Sequence, residues 1–179
     1  MQDTTAALND EQRAACLALK AFIDASPTPW HAGLSLVESA ASRGYRLLSE
    51  PEPWVLQPGQ GYAVVRDQSS VILFQTPADP TMPPEFRVVG AHTDSPGFRV
   101  KPQPLQRAPA GDRLGVEVYG GPIIASFADR DLTLAGRVFL RSDEDLLLPQ
   151  LVSFPDALLR LPSPAIHLNR AVNKEGLRF

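Results

Sequence analysis

The sequence predicts an α/β domain followed by an insert built almost wholly of short β-strands. Three observations carry that reading. Two amphipathic helical patterns occupy the first 43 residues. A run apolar on both faces, FRVVGA at 86–91, has the look of a strand inside a covered sheet. Beyond Pro96 the helical periodicity disappears and alternating segments take over.

The first helix is expected over about residues 10–25. Asn9 and Gln12 have the character of a reciprocal cap, and Ala15, Leu19, Phe22, Ile23 and Ser26 recur at helical spacing. Pro27 disfavours helical geometry at Ser26 and ends the element. A second helix is expected from about His31 to Arg43, with Leu34, Val37 and Ala41 on one face and Gly44 as its C-cap. A short strand at 45–48 follows. GYAVVR, the turn Asp67-Gln68-Ser69 and SVILF then read as a hairpin. Residues 76–85 are a proline-rich loop before the apolar run at 86–91. In the second half, residues 114–119 and 132–140 alternate, more strand is expected at 146–148 and 150–152, and a turn at 156–161. The 18 prolines cluster between these pieces and limit helix content. The boundary between the two halves is expected near residues 97–105.

At 179 residues the chain suffices for one domain or for one domain and part of another. A net charge of −3 without any Lys/Arg-rich run gives no footprint for nucleic acid or an anionic membrane. No apolar run approaches the roughly 18 residues of a membrane span, and the first residues lack the basic start and apolar core of a signal peptide. The single cysteine, Cys16, points to a reducing compartment and is expected as an inert thiol packed on the apolar helix face. The expected location is cytoplasmic.

The chemistry concentrates at VVGAHTDSPG, 88–97, where one of only three histidines, His92, ends the apolar run two positions before Asp94. Two readings stand. A histidine at a strand end can be satisfied by a neighbouring carbonyl, with Asp94 opening a turn. Alternatively, a neutral imidazole binds zinc, at about 2.0–2.1 Å from nitrogen to metal, and such a ligand needs a carboxylate to hold its other nitrogen. Residues i and i+2 of an extended chain share a side, so a bend at Thr93 would set Asp94 beside His92. The end of a buried strand is also where α/β folds build their sites. The sequence has no G-x-S-x-G elbow, Walker lysine loop or dinucleotide fingerprint, and nothing places a base near Ser95.

Five ordered blocks then carry a resemblance: SPTPWHA (26–32), VVGAHTDSPGFRVKPQP (88–104), GVEVYGG (115–121), DRDLTLAGRV (129–138) and AIHLNRAVN (165–173). The sequence resembles the M18 family of zinc aminopeptidases, the aspartyl aminopeptidases, over nearly its whole length. The resemblance implies part of an α/β zinc-peptidase catalytic domain (1–97), an inserted β-rich dimerisation domain (98–165) and a return segment (166–179). It implies two zinc ions in a complete site, a peptide substrate trimmed at an N-terminal residue, often Asp or Glu, and assembly into homo-oligomers. Residue by residue, His92 takes the place of a zinc ligand and Asp94 that of the carboxylate orienting it. His167 falls where members place a histidine that reaches a neighbouring subunit's substrate. His31 has a helix-start role as its simpler reading, and Asp129-Arg130-Asp131 reads as an ion-paired turn. Ser126-Phe127-Ala128 departs from the family's bulkier pattern there. The family's bridging aspartate, paired glutamates and final histidine have no counterpart in these 179 residues, so the isolated chain is expected to bind zinc weakly and to lack peptidase activity. The alternative is a non-catalytic oligomerisation module derived from the same family.

Overall fold

The computed structural model describes residues 8–81, 83, 85–109 and 111–176. The chain divides into two compact units: Met1–Asp94 with Gly136–Leu151, and Ser95–Ala135 with Val152–Phe179.

In the first unit, helix α1 spans Asp10–Asp24 and helix α2 Pro29–Ala41. Asn9 and Gln12 form the expected reciprocal cap: the Gln12 amide donates to Asn9 Oδ1 at 2.8 Å and the Asn9 amide to Gln12 Oε1 at 3.0 Å. The second helix begins two residues earlier than its apolar spacing suggests. Thr28 caps it and Pro29 takes the first helical position, where a missing N–H costs nothing. No residue of α1 is buried, so Cys16 is exposed rather than packed. Of the apolar stripe, Phe22 is half-buried, whereas Leu19 and Ile23 stay exposed.

Strand β1 (Arg46–Leu48) runs parallel to β2 (Gly61–Arg66), which pairs antiparallel with β3 (Ser70–Gln75) in the expected hairpin. Asp67 and Gln68 sit at φ 49° and 60°, the two central positions at which a type I′ turn demands positive φ. The buried apolar residues of this unit lie on α2 and β2: Ala32, Ala40, Tyr62, Ala63 and Val64, with Tyr62 only 1% exposed. The Tyr62 hydroxyl oxygen accepts the Gln57 amide at 2.7 Å. Its ring stacks on Phe74 with centroids 5.4 Å apart.

The run at 86–91 departs from expectation. It forms no strand, and Phe86, Val88 and Val89 stand exposed, Val89 at 97%. Apolar composition marks side chains that need cover, but a strand also needs a ladder partner. Among the described residues none pairs with this segment.

In the second unit, β4 (Gly97–Gln106) pairs antiparallel with β5 (Arg113–Tyr119). The register slips between Val100 and Leu105, the interval that holds Pro102 and Pro104, which have no N–H to give the ladder. A short 3₁₀ turn (Ile124–Phe127) brings Phe127 edge-on to Phe98, centroids 4.9 Å apart. Strand β6 (Asp131–Arg141) pairs with β7 (Leu147–Arg160); residues 131–135 and 152–160 of these strands belong to the second unit and the remainder to the first. The separate short strands and the turn expected across 146–161 are one continuous strand, because pairing with β6 overrides the local breaks at Pro149 and Pro155. Helix α3 is a single turn, Val172–Glu175. No helix among the described residues is long and apolar enough to cross a membrane.

Candidate functional site

The loop after the apolar run bends sharply at Thr93. The His92 ring reaches forward, and its Nδ1 lies 2.8 Å from the Asp94 carbonyl oxygen and 3.0 Å from Asp94 Oδ1. A carbonyl and an ionised carboxylate can only accept, so Nδ1 must carry the hydrogen and donate to both. The lone pair of the neutral ring is then on Nε2. The side chain is 80% exposed, so that lone pair is open to an incoming group. Thr93 Oγ1, part-buried, donates to the Ser69 carbonyl at 2.9 Å and ties the bend to the β2–β3 turn.

A second histidine is built the opposite way. His31 is the third residue of α2, and its amide donates to Thr28 Oγ1 at 3.3 Å while its Nδ1 lies 2.7 Å from the same oxygen. The Thr28 hydroxyl thus accepts the His31 amide and shares a second hydrogen bond with the ring. Burial holds the His31 ring below the ordinary histidine range. This is a helix cap, with its ring nitrogen committed to the hydroxyl that caps it.

His167 lies in an exposed turn at 166–168 of the second unit. Asp129, at φ 54°, accepts the Ser163 amide on Oδ1 at 3.0 Å, and Arg160 Nη2 donates to the Asp129 carbonyl at 3.0 Å. The Ser163 amide holds the Asp129 carboxyl below the usual range, with Arg160 a smaller contributor. With Asp131 3.9 Å from Arg160, the 129–131 segment is a turn braced by charge and hydrogen bonds.

Arg137 on β6 is a residue that local sequence rules do not single out. Its Nη1 donates to Asp67 Oδ1 at 2.8 Å and to the Asp67 carbonyl at 3.1 Å. Its guanidinium lies 4.7 Å from the Trp30 ring centroid and 5.2 Å from that of Phe139. The signal was an arginine set between apolar neighbours within a strand, but its partner is 70 residues away.

Zinc makes a chemical demand that can be tested against these residues. His92 with Asp94 meets the requirement for one ligand: a ring fixed through Nδ1 by a carboxylate, with Nε2 bare. A catalytic zinc needs about three protein ligands. Among the described residues no group of three or more His, Cys, Asp or Glu side chains could hold a metal ion. The fit is therefore to one ligand and its support.

Residues 22–177 match the family model described as aminopeptidase I zinc metalloprotease (M18). A relative from Stutzerimonas stutzeri (strain A1501), a probable M18 family aminopeptidase 2, is 46% identical over 153 residues, which are 86% of this chain and 35% of that protein. A chain in the cryo-EM structure of the Ape4 and Nbr1 complex superposes with a TM-score of 0.89 at 35% identity, covering 97% of this chain and 34% of that one. Chaetomium thermophilum mApe1 superposes with a TM-score of 0.72 at 25% identity, over 85% of this chain and 35% of its own. The chain thus spans about a third of the length of these relatives. With the family model matched over most of its residues, the chain belongs to the M18 family of aminopeptidases.

Proposed function

We propose that this chain is the portion of an M18 zinc aminopeptidase that supplies one zinc-ligating imidazole, His92, and the carboxylate that holds it, Asp94. The single observation that carries the reading is the paired donation from His92 Nδ1 to Asp94, which leaves Nε2 bare. The whole protein would release N-terminal residues, with Asp or Glu preferred, from peptides. Its complete site would hold two zinc ions, and zinc, when bound, would polarise the scissile carbonyl and acidify a water. Within this chain, Asp94 fixes the tautomer and the direction of the His92 ring; the other ligands and the general base would come from elsewhere. Residues 98–165 would form the dimerisation insert, following the catalytic part at 1–97, with 166–179 leading back. His167, exposed in its turn, would contact substrate in a homo-oligomer. Exposed Phe139, Leu140, Leu147 and Leu148 on β6 and β7 support association, since such side chains are ordinarily covered. The single cysteine, Cys16, supports a cytoplasmic location.

The 179-residue chain alone would be a weak zinc binder without peptidase activity. The test is a zinc competition titration beside an assay with Asp-, Glu- and Leu-terminated chromogenic peptides. The expected result is weak zinc binding that His92→Ala abolishes and Asp94→Asn weakens by about tenfold or more, with no peptide turnover. Turnover by the pure chain, or zinc binding indifferent to His92→Ala, would overturn the reading.

A further inference from the structure

Three separate segments converge on the hairpin turn at 67–69. Gly33 of α2 packs so closely that a Cβ there would meet the Gln68 backbone. Arg137 of β6 grips Asp67 through its carbonyl and carboxylate, and its side chain is only 13% exposed. The loop carrying His92 adds the third contact, from Thr93 Oγ1 to the Ser69 carbonyl at 2.9 Å. Asp67 and Gln68 hold left-handed backbone conformations, which non-glycine residues keep only where their surroundings fix them. The turn is thus a rigid reference point.

Thr93 occupies the apex of the loop. The His92 ring bonds two residues forward, to both oxygens of Asp94 within 3.0 Å, so the chain must fold back around the residue between them. A ring that is 80% exposed has little packing of its own to orient it. What joins the apex to the fold is the Thr93 hydroxyl. We propose that Thr93 is a positioning residue for His92, and that the turn 67–69, clamped by Arg137, is the fixed point to which it registers the His92–Asp94 pair. The purpose rests on the reading of His92 as a zinc ligand, but the positioning itself is independent of any metal.

The experiment uses the 179-residue chain, labelled with ¹⁵N at histidine and kept metal-free. Long-range ¹H–¹⁵N spectra report the tautomer of each ring. Thr93→Val keeps the side-chain shape and deletes the hydroxyl. The ratio of Nδ1–H to Nε2–H tautomer at His92 should fall by about fivefold, the worth of one ordinary hydrogen bond, while His31 stays unchanged. Thr93→Ser should restore it. Arg137→Lys, which lies outside the loop, should move His92 in the same direction by less. A folded Thr93→Val chain with an unchanged His92 ratio overturns the proposal. If that variant does not fold, an unmoved His92 in Arg137→Lys overturns it instead. A zinc titration of the same variants separates the two readings. A tautomer shift without loss of zinc affinity keeps the positioning role and removes the zinc role of His92.

Discussion

Gly33→Ala tests the packing that underlies the site. Glycine inside a helix is ordinarily a poor choice, and alanine should gain about 1 kcal/mol from propensity alone. At Gly33 the structure opposes that gain. The added methyl would overlap the Gln68 carbonyl oxygen, with the carbonyl carbon at 3.1 Å and Ser69 Cα at 3.5 Å. These are backbone atoms, so no side chain can swing aside. The turn cannot retreat easily either, since Arg137 and Thr93 both hold it. Either α2 or the turn must move by roughly an ångström, and overpacking of this kind costs about 1–3 kcal/mol, occasionally more. Because the obstacle is backbone on a pinned turn, the upper end applies. After subtracting the propensity gain, the net loss is about 2 kcal/mol, a fall in melting temperature on the order of 10 °C for a unit of this size. Urea unfolding followed by Trp30 and Trp54 fluorescence would measure it. A Gly33→Ala chain as stable as the parent, or more stable, would refute the close approach and with it the rigidity of the turn.

Two further predictions follow from the same corner of the fold. The Asp67 carboxyl is held below its ordinary value of 3.8 chiefly by the hydrogen bond from Arg137, and burial opposes this shift. A depressed folded value means stability that is present above pH 3.8 and lost as pH falls through the lowered value. In Arg137→Ala, ¹³C titration of the Asp67 carboxyl should therefore show it return upward toward 3.8. No movement would mean that the ion pair does not form in solution. Thr28→Ala removes the cap of α2 and should cost about 1 kcal/mol. The His31 ring, which burial holds below 6.5, gives stability present above that pH and lost as pH falls below it. Thr28→Ala, by opening the ring to water, should weaken that pH dependence, as urea midpoints across pH 5–7 would show.

The parts of the fold governed by neighbours in sequence were legible. The Asn9–Gln12 cap, the stop before Pro27 and the 61–75 hairpin all depend on local rules, and the structure follows them. So did the contact between His92 and Asp94, because a spacing of two with a bend between is a local geometry. What failed depended on partners. The run at 86–91 has the side chains of a buried strand, yet no described strand pairs with it. Cys16 is exposed on a helix none of whose residues is fully buried. Arg137 shows the same limit from the other side. Its three partners come from α2, a turn and its own strand, and only the fold assembles them.

The central claim is that Asp94 keeps the His92 ring with Nδ1 protonated and Nε2 ready for a cation. The most direct measurement is a stepwise addition of Zn²⁺ to the ¹⁵N-histidine-labelled chain at neutral pH. The Nε2 signal of His92 should move first, while its Nδ1 keeps its hydrogen and His31 stays still. A His92 ring that ignores zinc, or that binds it through Nδ1 with the hydrogen on Nε2, would contradict it.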